Sequence, residues 1–180
     1  MVKLGARDLR KSSPSKDRIK KIKRNPIYFV LDEIIDTYNI GSLFRLADAV
    51  AAKKIYLCGK MEYPPSSRIH KAAVGTENWV PWEKKDSTFK TVKELKSKRV
   101  KIIAVEQNDK SIDYRLLTTD KLKFPVAIVV GNETTGVSKE VLDQADIIIE
   151  LPMFGVNKSF NVWGSAAVVA YKILEALKSP

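Results

Sequence analysis

Val130-Gly-Asn-Glu-Thr-Thr-Gly-Val-Ser138 follows a run of five buried-type residues, Val126 to Val130, and about twenty residues later Leu151-Pro-Met-Phe-Gly-Val-Asn-Lys-Ser-Phe-Asn-Val162 leads into an apolar helix. A continuous apolar run of this length, closed by a glycine and amide-rich turn, reads as a parallel strand covered on both faces. Turns of this kind at the ends of buried strands are where α/β proteins bind small ligands.

Working outward, apolar strands alternate with helical periodicity. Ile27 to Leu31, Ile55 to Cys58, Val100 to Val105 and Ile147 to Leu151 read as strands, and Trp79 to Trp82 as an extended segment broken by Pro81. A helix is expected from Asn39, acting as its N-cap, with Ile40, Leu43, Phe44, Ala47 and Val50 on the inner face. Further helices are expected over Arg68 to Val74, Thr88 to Lys98, Ser138 to Gln144 with Ser138 as cap, and Val162 to Leu177. The last is apolar on nearly every side, which implies cover from two directions. The alternation predicts an α/β fold, a mostly parallel sheet with helices on both faces.

Composition bounds the chemistry. One domain is expected for 180 residues that are 44% hydrophobic. Residues 1 to 24 hold ten Lys and Arg against Asp8 and Asp17, so +8 of the net +11 lies in a basic N-terminal arm, and the domain from residue 25 to 180 is nearly neutral. Concentrated positive charge favours a polyanion, because neutralised phosphates release counterions, and nucleic acid is the leading candidate. The arm's Leu4, Leu9, Ile19 and Ile22 make too thin a stripe for a membrane helix, and no apolar run approaches the roughly 20 residues of a span. A start of charged residues and a single cysteine, Cys58, lead to the expectation of a cytoplasmic protein without a disulfide.

Catalytic alternatives fall by elimination. His70 is the only histidine and Cys58 the only cysteine, too few for a zinc site, so no metal is expected. Arg68 and Lys71 beside His70 suggest a surface helix rather than a nucleophile's base. No dinucleotide fingerprint follows a strand. Gly131 to Ser138 approaches the phosphate-loop pattern, but Val137 stands where the lysine belongs and Glu133 would face the phosphates, which disfavours a nucleotide-dependent enzyme.

Three segments taken together say more. Asn39-Ile-Gly41-x-x-x-Arg45, Gly131-Asn-Glu133-x-x-Gly136-Val-Ser138 and Leu151-Pro-Met153-x-Gly155-x-x-x-Ser159-Phe-Asn161-Val resemble, in order and spacing, the motifs of the SpoU-type (TrmH-like) RNA ribose 2′-O-methyltransferases of the SPOUT superfamily, over roughly residues 26 to 178. The resemblance implies a C-terminal trefoil knot, S-adenosylmethionine as cofactor, a homodimer and an RNA substrate. It also implies catalytic roles for Asn39, Arg45, Glu133, Ser159 and Asn161, and a donor site at Val130, Gly131, Leu151, Pro152, Met153 and Phe160. Phe160 stands where the family usually has leucine, and Trp163 where a small or apolar residue is usual. Seen singly, Asn39 is an ordinary cap and Arg45 a surface charge; the joint pattern carries the reading. The alternative from another class is a non-catalytic RNA-binding homodimer with the same fold. No added RNA-reading domain is expected beside the methyltransferase domain, and on that expectation tRNA is favoured over rRNA as substrate.

Physical chemistry supports these roles. Methyl transfer from a sulfonium to a hydroxyl needs alignment and removal of a proton, with no metal. An arginine beside the target ribose binds phosphate and orients the hydroxyl; its pKa above about 12 makes it a poor general base.

Overall fold

Ten of the thirteen residues from Thr37 to Ala49 are apolar or small enough to pack, and this helix with its neighbours covers a sheet whose central strand is buried at all six positions. The computed structural model describes residues 4–9 and 13–178; Lys3, Arg10 and Lys11 of the basic arm lie outside them. In chain order the regular elements are α1 (Ala6–Leu9), α2 (Lys16–Lys20), β1 (Asn25–Asp32), α3 (Thr37–Ala49), β2 (Ala52–Cys58), α4 (Ser67–Ala73), β3 (Trp82–Lys85), α5 (Thr88–Ser97), β4 (Lys101–Val105), β5 (Ile112–Asp113), β6 (Val126–Gly131), α6 (Lys139–Leu142), β7 (Ile147–Glu150) and α7 (Val162–Lys178).

The seven strands form one sheet in the order β3-β2-β1-β6-β4-β7-β5, and every pairing is parallel. Alternate residues feed two cores. Ile27, Phe29, Leu31, Ile55, Leu57 and Ile128 pack with Ile40, Phe44, Val169 and Ile173 of α3 and α7. Val30, Cys58, Ala104, Ala127 and Val129 pack with Val92 and Leu95 of α5 and Val141 of α6. Helices on both faces follow from this alternation. From β1 the chain passes outward to β2, whereas from β6 it passes the other way to β7 beyond β4, so β1 and β6 flank a topological switch point. The crevice at their C-terminal ends is where such sheets bind ligands.

Several expectations are corrected. Asp36, not Asn39, caps α3: its carboxylate accepts from Tyr38 N at 2.8 Å, which leaves the Asn39 amide free for other partners one turn inside the helix. Ser138 does stand before α6 but makes no cap bond, because its N–H and hydroxyl both go to Asp32 Oδ2, at 3.0 and 2.9 Å. Trp79 belongs to no strand. It follows a 3₁₀ turn at Thr76–Asn78 and its indole N–H donates to Asp48 at 2.8 Å, and β3 starts only at Trp82, after Pro81, whose carbonyl accepts from Ile55 N. A tryptophan whose N–H finds a buried acceptor gains more there than on an edge strand. The two-residue β5 is too short to leave a period-two signal. In α7 the chain covers one side, burying Ala166, Val169, Ala170, Ile173 and Leu174, while Trp163 and Tyr171 stay exposed.

Three of the arm's four stripe residues dock inward, while Leu4 stays exposed. Leu9, Ile19 and Ile22 pack on the larger core, and the Arg24 guanidinium donates to the carbonyls of Ala52 at 3.0 Å and Trp79 at 2.8 Å. The stripe too thin for a membrane is wide enough to fasten a short segment to the body. Elsewhere, Gly41 lets α3 and α4 touch: a Cβ there would sit 2.6 Å from Ala72 Cβ and 2.7 Å from Ile69 O. That close crossing fixes α3, and with it the position of Asn39.

Candidate active site

The turn after β6 is locked before any ligand is considered. Asn132 and Gly136 exchange backbone hydrogen bonds at 3.1 and 2.9 Å, and Asn132 Oδ1 accepts from the N–H groups of Thr134 and Thr135. A Cβ on Gly131 would lie 2.1 Å from Val137 N, so only glycine allows the hairpin to fold back on its own strand. Gly136 adopts φ 70°, and Glu106 Oε2 reaches across to accept from Val137 N at 2.8 Å. Val137 is buried, so the position where a phosphate loop keeps its lysine is part of the core here.

This hairpin presents Glu133 to the start of α3. Its carboxylate accepts from Ile35 N at 2.9 Å, Asp36 N at 3.0 Å and Asn39 Nδ2 at 2.8 Å. Partial burial by itself pushes the Glu133 carboxyl upward, but the hydrogen bonds from Asn39, Ile35 and Asp36 outweigh it and hold the pKa below the ordinary carboxyl value. Glu133 is therefore an anion at neutral pH.

A carboxylate can only accept, so it dictates which way the next amide points. Asn39 must turn its NH₂ to Glu133, which leaves its Oδ1 to accept from Asn161 Nδ2 at 3.1 Å. Asn161 in turn offers Oδ1 to Trp163 N at 3.0 Å and Gly164 N at 3.4 Å, capping α7. Both ends of this chain have fixed polarity, an acceptor-only carboxylate at one and donor-only backbone at the other. The three motifs are thus tied into one directed relay: hairpin to α3 to α7.

The relay borders a cavity of about 640 Å³ at the C-terminal ends of β4, β6 and β7. Asn39, Glu133, Ser159 and Asn161 line it, together with Val130, Gly131, Leu151 and Phe160. A smaller, mostly apolar cavity of about 310 Å³ adjoins it, lined by Pro152, Met153, Tyr114 and Val168, with Leu151 and Phe160 shared as the wall between them. The Phe160 ring lies over Gly164, where a Cβ would come within 2.6 Å, so the bulkier residue at this position is accommodated by a glycine one turn on.

Of the expected site residues, Arg45 alone does not line either cavity. It is exposed in the third turn of α3, on the stripe that also carries Tyr38 and Ala49, and has no ion pair or hydrogen bond among the described residues. His70 lies away from the cavity, its Nδ1 2.5 Å from the buried Glu77. Sequence reasoning missed Glu106 and Asn132, which support the hairpin; each reads in sequence only as a polar residue at a strand end. Among the described residues no group of three or more His, Cys, Asp or Glu side chains is placed to hold a metal ion, and no helix is long and apolar enough to cross a membrane.

Comparison with known proteins agrees with this geometry. Residues 26–171 match the model of the SpoU rRNA Methylase family. The chain is 28% identical over 148 residues to the putative TrmH family tRNA/rRNA methyltransferase YacO of Bacillus subtilis, covering 82% of this chain and 58% of that protein. It is 29% identical over 162 residues to the tRNA (guanosine(18)-2′-O)-methyltransferase of Borreliella burgdorferi, covering 90% and 72%. The crystal structure of an AdoMet-bound rRNA methyltransferase from Sinorhizobium meliloti superposes with a TM-score of 0.75 at 25% identity, over 95% of this chain and 61% of that one. The chain thus spans about three fifths of the length of some relatives it matches.

Proposed function

Because the chain belongs to the SpoU rRNA Methylase family, we propose that it is an S-adenosylmethionine-dependent methyltransferase acting on a ribose 2′-hydroxyl of structured RNA, with tRNA the favoured substrate over rRNA. The observation that carries this reading is the Glu133–Asn39–Asn161 relay on the wall of a cavity whose other walls are strand ends and the Leu151–Asn161 segment.

The cavity suits the donor. At about 640 Å³ it falls within the few hundred to 1,000 Å³ of small-ligand sites, and it combines apolar surface (Val105, Val130, Ile149, Leu151, Phe160) with polar groups from the hairpin, α3 and the Lys158–Asn161 segment. Backbone at Val130, Gly131 and Leu151 to Met153, with the Phe160 ring, would hold the adenosine. When bound, S-adenosylmethionine supplies an electrophilic methyl group. The protein's own part is alignment: the relay fixes the Asn39 and Asn161 amides, and Ser159 is left exposed with a hydroxyl for the ribose. Hydrogen bonds already formed in the relay before a ligand arrives are the kind of preorganised dipoles that favour transfer.

Arg45 completes the reading as the group that grips the phosphate beside the target ribose. Being exposed and outside its own cavity, it meets the reacting centre in a homodimer, which the open side of α7 with Trp163 and Tyr171 also favours. The knot implied by the resemblance, the basic arm's contribution to RNA affinity and a cytoplasmic location belong to the same reading.

Calorimetry of S-adenosylmethionine against ATP, followed by mass spectrometry of RNA incubated with protein and donor, tests it. The expected product is one 2′-O-methylnucleoside. Donor binding without a methylated product would favour the non-catalytic RNA-binding alternative, and ATP binding in place of the donor would end the proposal. Arg45→Ala should abolish transfer while donor affinity stays within a few-fold.

A further inference from the structure

Around the cavity the C-terminal edge of the sheet is acidic, whereas the outer strand β3 ends at that edge on Lys84 and Lys85. Among the residues that line the larger cavity at the C-terminal edge, Glu106, Glu133 and Glu150 stand against Lys158 alone, and Asp32 and Glu33 adjoin them at the end of β1. An anionic rim does not attract a polyanion. Beyond Arg45 and the basic arm, the affinity for RNA on which the proposed function rests needs cations elsewhere on the molecule.

The opposite edge carries the complementary charge. The parallel register puts Lys53 at the start of β2, Lys101 at the start of β4 beside Val126, Lys23 just before β1, and Lys123 just before β6, with Arg99 at the turn into β4. Since β2, β1, β6 and β4 are consecutive neighbours in the sheet, these five cations stand in a row along one edge. Lys23, Lys53, Arg99 and Lys123 are exposed and Lys101 half-buried, and none has a carboxylate partner among the described residues. Of the nearby acids, Asp146 pairs with Lys96, and Asp48 lies near the Arg24 guanidinium while accepting from the Trp79 indole; Asp120 accepts from Thr118, a neutral partner, and offsets one of the five cations. Arg24 faces inward, as described above, and contributes no free cation to this edge.

We propose that this N-terminal edge of the sheet is a second, non-catalytic RNA-binding surface, gripping the backbone of a duplex stem while another part of the same RNA enters the cavity at the far edge. Three strand spacings make the row roughly 14 Å long, a length over which a duplex carries about eight phosphates. Contact of this kind positions an RNA without reading its sequence. A single-stranded ligand fits less well, because it requires stacking platforms. Among the described residues the edge offers Phe124, half-buried against the larger core, and Tyr28, half-buried, stacked on Tyr56 and covered by Lys53 at 5.7 Å from its ring.

The test uses the full chain with Lys53→Gln, Arg99→Gln, Lys101→Gln and Lys123→Gln combined, none of which lines the cavity or belongs to the basic arm. Affinity for unfractionated tRNA is measured across a range of KCl concentrations, and S-adenosylmethionine affinity by calorimetry reports on the intact fold. The expected result is a slope of log K against log salt shallower by about three to four, since each duplex phosphate that is no longer neutralised takes roughly 0.9 off the slope. Affinity at moderate salt should fall at least tenfold, with donor binding unchanged. A variant with the wild-type slope overturns this surface and leaves the methyltransferase reading intact. Wild-type protein that binds the donor but no RNA overturns both. A loss seen with single-stranded poly(U) and not with tRNA overturns the duplex assignment.

Discussion

Glu133→Gln changes one oxygen for an NH₂ group and tests whether the carboxylate really dictates the relay. With its carbonyl at the Oε1 position the amide keeps the bonds from Asp36 N and Asn39 Nδ2, but its NH₂ then faces Ile35 N, donor against donor. With the opposite rotamer it satisfies Ile35 and loses Asn39, whose amide is then free to flip and break its bond to Asn161. A hydrogen bond to a charged acceptor contributes about 1.5–3 kcal/mol. Glu133 borders the open cavity, so solvent screening argues for the lower part of that range. A loss of about 2 kcal/mol is expected, roughly a thirtyfold change in the folding equilibrium.

The pH dependence gives the sharper readout. Glu133 has its folded-state pKa lowered, so the folded protein binds fewer protons than the unfolded chain in the acidic range. Its contribution to stability is complete above the unfolded carboxyl's pKa of about 4.3 and is lost as pH falls through the folded value. Urea midpoints of wild type and Glu133→Gln should therefore differ most at neutral pH and converge in acid. The variant should also lose methyl transfer by a larger factor than donor affinity, since it disturbs the Asn39 and Asn161 amides rather than the strand backbone. Equal midpoints at neutral pH, or a gap that stays constant into acid, would refute the relay.

Three other perturbations probe the scaffold. Gly41→Ala forces a methyl group against Ala72 and the Ile69 carbonyl, neither of which can swing away; overpacking of this kind costs about 1–3 kcal/mol, and thermal unfolding should show it together with reduced transfer as α3 shifts. His70→Ala removes the Glu77 Oε1 partner at 2.5 Å and leaves only Asn78 at 3.4 Å, while Oε2 of the same buried carboxylate already lacks a partner. A loss of about 1–3 kcal/mol in urea is expected, restored in part by Glu77→Leu on the same background. Burial pushes the Cys58 thiol up to about 11 despite the hydroxyls of Thr91 and Thr88 nearby, so about one molecule in a thousand is thiolate at pH 8; a thiol-disulfide reagent should leave the native protein untouched and react at once in urea.

What sequence alone made legible was the set of long-period features. Continuous apolar runs at Val126 and Ile147, and the spacing of Ile40, Leu43, Phe44 and Ala47, survive as buried strands and an inner helix face because burial on both sides of a parallel sheet leaves no freedom of residue type. The motif residues are legible through their joint pattern, and four of the five catalytic candidates do border one cavity. What escaped was decided by tertiary competition for hydrogen bonds. Asn39 has the right side chain for a cap, yet Asp36 holds that position, and the Asn39 amide goes instead to Glu133, 94 residues away in sequence. Ser138 is likewise claimed by Asp32, 106 residues away. No local propensity encodes a partner that distant.

The same competition explains why the site is anionic although the proposed substrate is a polyanion. Closing a hairpin against the switch point leaves backbone N–H groups of the Ile35–Asp36 and Val137–Ser138 segments without strand or helix partners, and each is satisfied by a carboxylate: Glu133, Glu106 and Asp32. Neutral acceptors would make weaker bonds and would not orient the Asn39 amide. Carboxylates at this edge are thus the structural condition for a rigid cleft, and they oppose RNA electrostatically. Over a Debye length of about 8 Å at physiological salt that opposition is local. A cationic row at the far end of strands about 17–20 Å long attracts RNA without disturbing the carboxylates that hold the cleft in shape.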